Sequence, residues 1–161
     1  MSDIVSARTL QKAICGLLEV AGYINGAPEH VYFDKQPVMG NEWVRPVYFT
    51  EIRYGLNIYG TPGKLDFLLI NDHSLNNKRV SFAIVAKYQK DKGTVDEKFP
   101  FLVQNIYECY GVPTIVVLDG GGYRPGAEKW LRAQVRPQSM GLIAVCNFSE
   151  LQNWVEDGAF S

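Results

Sequence analysis

From Val80 to Leu118 the chain passes through an apolar stretch, an amphipathic stretch of helical length and a second apolar stretch. The first, Val80 to Gln89 (VSFAIVAKYQ), is apolar enough to be central in a sheet. In Thr94 to Tyr110, Phe101, Leu102, Ile106 and Tyr107 fall on one helical face, and Pro100 predicts a later start or a kink. Pro113 to Leu118 (PTIVVL) reads as a buried strand. A strand, a crossover helix and a second strand pair their strands in parallel with a right-handed crossover. This unit commits the chain to a sheet with helices packed on it.

The flanking segments extend that sheet. Leu10, Ile14, Leu17 and Leu18 have helical spacing within Ile4 to Val20, and Gly22 follows as a stop. Ala27 to Asn41 contains Pro28, Pro37 and Gly40 and reads as irregular. Val44 to Ile58, broken by Gly55, predicts one or two strands. Lys64 to Ile70 (KLDFLLI) is a strand entered from the turn Gly60-Thr61-Pro62-Gly63. Asn71 to Arg79 reads as a polar connection. After Pro113 to Leu118 come a glycine loop (Gly120 to Gly122), a helix (Ala127 to Val135), a strand (Gly141 to Cys146) and a closing helix (Ser149 to Glu156) with Ser149 as its expected N-cap. The expected fold is α/β, a mixed central sheet flanked by helices, in a single domain over residues 1–161.

Composition narrows the function. With 47% apolar and 20% charged residues, the chain falls in the globular class rather than the disordered one. No apolar run is long enough to span a bilayer, so no membrane partner is expected. The polar start, Met1 to Thr9, lacks the apolar core of a secretory signal, so cytoplasmic residence is expected. Cys15, Cys109 and Cys146 form no C-x-x-C pair and read as small buried hydrophobes. A net charge of −1 is low for a protein gripping phosphates, which favours a local basic patch, a second copy or another subunit.

Two strands carry polar residues that burial does not explain. Asp66 interrupts KLDFLLI, and Lys87 and Gln89 end an otherwise apolar strand. Residues 87 and 89 share one face because strand side chains alternate. If the two strands pair, Asp66 stands beside Lys87. One reading is a structural ion pair. The other is a divalent-cation site, since Mg²⁺ prefers carboxylate and water oxygens and holds phosphate well. Thr94 and Glu97 have capping-box spacing, so Glu97 is either a cap or a first-turn carboxylate reaching toward a metal on Asp66.

Asp66, then Lys87-Tyr88-Gln89 about twenty residues later, then Gly93-Thr94-x-x-Glu97-Lys98-x-Pro100 resembles the PD-(D/E)xK nuclease superfamily. More narrowly it is similar to the restriction-endonuclease subset with a K-[WY]-Q…G-[ST]-x-x-x-K-x-P signature. Val116 to Trp130 also resembles the strand, glycine loop and helix that follow in that subset. The resemblance covers roughly Gly60 to Val135. It implies a restriction-endonuclease-like core and a Mg²⁺-dependent endodeoxyribonuclease, with Mn²⁺ as a substitute ion. The implied roles are metal binding for Asp66, the family's lysine role for Lys87, and placement of the metal water or scissile phosphate for Gln89. The sequence departs from the pattern at Val85, where the second acid is expected. Three readings follow: Glu97 supplies that carboxylate from the helix, the acid has been removed, or the chain binds DNA without cutting it. Glu97 is the favoured donor.

Glu19 on the first helix could assist a metal, although an exposed carboxylate there is usually solvated. Lys64, Lys90, Lys92 and Lys98 flank the proposed site and, with Arg53 and Tyr54, are candidate contacts to a DNA backbone. His30 and His73 lack partners at metal-ligand spacing. The glycine loop lacks the nucleotide-binding patterns. Double-stranded DNA is the expected substrate. The chain is expected to act as a homodimer or with a larger DNA-recognition subunit; a dimer would place two active sites for double-strand cleavage.

Overall fold

The computed structural model describes residues 3–26, 46–73 and 78–159, with backbone alone for 71–73 and 78–80. Helix α1 (Ala7–Val20) is started by Ser6, whose hydroxyl accepts from the Thr9 N–H while the Thr9 hydroxyl oxygen accepts from the Ser6 N–H. Such reciprocal bonding satisfies donors that a helix start leaves unpaired. A two-residue strand β1 (Ile24–Asn25) follows, then the long β2 (Val47–Leu56), β3 (Pro62–His73) and β4 (Lys78–Tyr88). The expected connection of residues 71–79 is therefore shorter. Both strands extend into it, because backbone pairing from Asn71↔Val80 to His73↔Lys78 continues the ladder regardless of side-chain polarity. The expected irregular stretch from Ala27 to Asn41, with His30, lies outside the described residues, as do residues 74–77 and the side chain of His73.

The segment expected as one helix from Thr94 is three pieces. A 3₁₀ turn (Asp96–Lys98) leads into α2 (Phe99–Asn105), which ends in a π turn (Ile106–Tyr110) closed by Gly111 at φ 71°. Pro100 sits in the first turn of α2, where its missing N–H leaves no gap. Strand β5 (Thr114–Asp119), helix α3 (Pro125–Ala133), strand β6 (Leu142–Cys146) and helix α4 (Phe148–Glu156) complete the chain.

The sheet order is β1-β2-β3-β4-β5-β6. Strands β2, β3 and β4 form an antiparallel meander, while β1 with β2, β4 with β5 and β5 with β6 are parallel. The mixed sheet and the parallel β4-α2-β5 unit match expectation. One face packs on α1 and α4 through Leu10, Ile14, Leu18, Phe67, Ile84 and Leu151. The other packs on α2, the π turn and α3 through Leu68, Val85, Phe99, Ile106, Val116 and Leu131. Consecutive residues from Ala83 to Ala86 thus go to opposite cores, which explains why the middle of β4 is apolar on both faces. Among the described residues no helix is long and apolar enough to cross a membrane. Cys146 is buried and Cys15 and Cys109 half-buried, all as free thiols.

Candidate active site

The sheet splits between β3 and β4. The β3–β4 ladder runs to Phe67↔Ile84 and stops, although β4 continues along β5 to Tyr88↔Asp119. Continued register would set Leu65 opposite Ala86. Instead the Ala86 N–H donates to Asp66 Oδ2 at 2.9 Å. A side-chain carboxylate replaces the main-chain acceptor and holds the strands apart. Across β2 the same level is irregular: the ladder passes from Thr50↔Phe67 to Ile52↔Leu65, and Glu51 between them has φ 53°.

A cleft of about 530 Å³ opens along this seam, lined by Asp66, Lys87, Lys64 and Lys98 among others. The start of α1 forms part of the wall through Ala7 and Gln11, and α2 with the π turn forms another. Tyr54 and Tyr110 also line it, their ring centroids 4.6 Å apart. Asp66 and Lys87 come together here from neighbouring strands. The β4 alternation that sends Val85 into the α2-side core carries Lys87 to that same side. Burial raises the Asp66 carboxyl above its ordinary value; the Ala86 N–H and the Lys87 ammonium oppose that rise, and the Glu51 carboxylate adds to it. Among the described residues three ammonium groups and one carboxylate line the cleft, which suits an anionic ligand.

Other expected residues lie elsewhere. Val85 is 3% exposed and belongs to the core, so its position offers no acid. Glu97 is exposed and is not among the cleft residues; its carboxylate lies 3.5 Å from the Arg124 guanidinium. The expected capping box with Thr94 is also absent, because Val95 occupies the N-cap position of a 3₁₀ turn with no side-chain cap bond. Glu19 is exposed on α1 and accepts from the Tyr48 hydroxyl at 2.9 Å. Lys90, Lys92 and Arg53 are exposed outside the cleft lining.

Gln89 does not line the cleft. It is 5% exposed, and its amide is consumed by the fold. Its Nε2 donates to Gly122 O at 2.9 Å and to Asp96 Oδ2 at 3.3 Å, and its Oε1 accepts from the Asp96 N–H at 3.2 Å. Asp96 also accepts from the Arg124 N–H at 2.9 Å and pairs closely with the Arg124 guanidinium. Gly120 and Gly122 lie against the backbone of Gln89, Lys90 and Asp91, where a Cβ would collide. These contacts fasten the 3₁₀ turn and the glycine loop to the end of β4, and that turn delivers Lys98 to the cleft. Asp96 and Arg124 escape sequence reading because their pairing spans 28 residues and a loop. Glu51 escapes it because only the β2–β3 register brings its charge to bear on Asp66.

Whether the donors suit Mg²⁺ follows from their chemistry. One Asp66 oxygen is engaged by Ala86, and the other has no hydrogen bond among the described residues. Mg²⁺ retains several waters and takes one or two carboxylates beside substrate phosphates. This donor set fits a single ion held by one carboxylate. Among the described residues no group of three or more His, Cys, Asp or Glu forms a ready-made cage.

Comparison with curated proteins and with solved structures gives no match. A family model described as the PD-(D/E)XK nuclease superfamily domain matches residues 5–158. With nearly the whole chain matched and a restriction-endonuclease-like arrangement of sheet and helices, the chain belongs to the PD-(D/E)XK nuclease superfamily.

Proposed function

We propose that this chain is an endodeoxyribonuclease that hydrolyses DNA phosphodiester bonds with Mg²⁺, as a restriction-type enzyme or the cleavage subunit of one. The observation that carries this reading is the split between β3 and β4, where Asp66 and Lys87 share a cleft with Lys64 and Lys98. Asp66, through its free oxygen, is the residue that would hold the ion. When bound, Mg²⁺ lowers the pKa of its water and offsets charge on the phosphate. The Lys87 ammonium, from the adjacent strand, stabilises the negative charge that builds on the phosphoryl oxygens as the bond breaks. Lys64 and Lys98, from opposite sides of the seam, hold flanking phosphates in register. Gln89 and Asp96 act by positioning, because they hold the turn that carries Lys98. Glu51 is the further carboxylate that could support the ion from β2.

A second reading is a DNA-binding or assembly protein that does not cut. Its support is specific: Val85 is core, and Glu97 is engaged with Arg124. Plasmid nicking in Mg²⁺ or Mn²⁺ separates the two. The nuclease reading expects cleavage that Asp66→Asn abolishes and Lys87→Ala slows about 10²–10³-fold, with DNA binding retained in Asp66→Asn. DNA binding by the wild type without cleavage in either ion favours the second. The charge of −1 supports action as a homodimer or beside a larger recognition subunit, which would supply the rest of the grip.

A further inference from the structure

The hairpin between β2 and β3 ends in a tip that is tightly built yet displays an aromatic ring to solvent. Asn57 organises the tip: its Oδ1 accepts from the Tyr59 N–H at 2.9 Å, from the Thr61 N–H at 3.2 Å and from the Thr61 hydroxyl at 3.0 Å. The main chain closes the turn through Asn57 N–H to Thr61 O at 2.8 Å and Gly60 N–H to Asn57 O at 2.9 Å. The Ile58 N–H donates to Asn105 Oδ1 at 2.9 Å, tying the tip to α2, and Asn105 is itself buried and donates to Phe101 O at 3.0 Å.

This frame holds Tyr59 against Phe101, with ring centroids 5.0 Å apart and planes 31° apart. Tyr59 is nevertheless 75% exposed. Packing on Phe101 accounts for one face of the ring and leaves the other open to solvent. Phe101 and Asn57 line the cleft that holds Lys64, Lys87 and Lys98. Tyr59 is not itself among the cleft residues, and its contact with Phe101 sets the exposed ring at the margin of this cationic slot. An exposed ring at the margin of a lysine-lined cleft matches a ligand with alternating flat apolar and anionic parts, which is the chemistry of a nucleic acid strand.

We propose that Tyr59 is a stacking platform for an unpaired nucleobase of the strand whose phosphate occupies the lysine-lined cleft. This rests on the phosphate-binding reading of the cleft and specifies the substrate further. A base inside a duplex has both faces covered by its neighbours, whereas a single strand, a frayed end or an extruded base offers one. The site therefore prefers a base that is unpaired beside the cleft, as at a frayed end or where a base is extruded from the duplex that a restriction-type enzyme cuts.

The test uses fluorescein-labelled single-stranded and duplex oligonucleotides of equal length, titrated with the full chain in EDTA so that no strand is cut. Anisotropy should show tighter binding of the single strand. Tyr59→Ala should weaken that binding about 5- to 150-fold and leave duplex binding unchanged, while Tyr59→Phe, which keeps the ring, binds as the wild type does. A 2-aminopurine base in the single strand should be quenched on binding by the wild type and Tyr59→Phe, and not by Tyr59→Ala. If Tyr59→Ala keeps full affinity and quenching while Lys64→Ala and Lys98→Ala lose affinity, the stacking proposal is overturned and the cleft reading stands. If the lysine variants also bind like the wild type, the cleft reading falls with it.

Discussion

Asp96 has its side chain fully withdrawn from solvent, and its surroundings supply the Arg124 N–H, the Arg124 guanidinium and the Gln89 amide. The Arg124 main-chain N–H, with the guanidinium charge and the Gln89 amide, outweighs burial and holds the carboxyl below its usual range. An acid with a depressed folded-state pKa adds stability that is present above its unfolded value and is lost as pH falls through the folded one. Asp96→Asn should therefore have a lower Tm than the wild type at pH 7, and the gap should close on acidification below about pH 4. Thermal melts of both proteins across that range check this; a gap that stays constant would show that the charge contributes nothing. Gln89 illustrates the limit of reading single residues. Its place at the polar end of a strand is visible in the sequence, but the same amide serves a catalytic site or a structural bracket, and only its partners decide.

At the scale of elements, local chemistry sets boundaries where it meets no competition. The N-cap of helix α4 lies two residues before the expected Ser149. Asn147 is its N-cap, accepting from the Glu150 N–H at 2.8 Å, and Glu150 accepts in return from the Asn147 N–H at 3.2 Å. Asn147→Ala should cost about 1 kcal/mol, measurable by urea denaturation, with Ser149→Ala near neutral. Thr94 and Glu97 have similar spacing and form no cap. Asp96 is drawn into the Gln89–Arg124 bracket, Glu97 follows it toward Arg124, and the first turn tightens to a 3₁₀ geometry. A local pattern worth about 1 kcal/mol yields to a buried carboxylate held by an ion pair and several hydrogen bonds.

For the whole molecule, charge placement matters more than total charge. A chain with a net charge of −1 still gathers, among its described residues, three lysines around one carboxylate in the cleft. Each phosphate neutralised releases counterions, so the logarithm of the DNA affinity should fall with the logarithm of salt concentration at a slope of about −2 to −3 for three contacts. Lys98→Ala should reduce that slope by about 1, and Lys90→Ala, whose side chain lies outside the cleft lining, should leave it unchanged. Salt titrations of binding by the three proteins test this. Equal slopes in all of them would place the DNA elsewhere on the surface.

Alternation and apolar content in KLDFLLI, VSFAIVAKYQ and PTIVVL were sufficient to specify strands, their burial and the parallel β-α-β unit, because those signals arise from side-chain periodicity within a few residues. The same strands exposed Asp66 and Lys87 as polar interruptions, and the Lys-Tyr-Gln and Gly-Thr-x-x-Glu-Lys segments pointed to the superfamily. Tertiary structure alone decided which polar groups meet. The ladder ends at Phe67↔Ile84, the Ala86 N–H turns to Asp66, and Glu51 enters through the β2–β3 register. It likewise withdrew Gln89 from the cleft and carried Glu97 to Arg124. Such pairings depend on register and on loops closing over 20 to 33 residues, distances at which one-dimensional spacing no longer constrains where a side chain points.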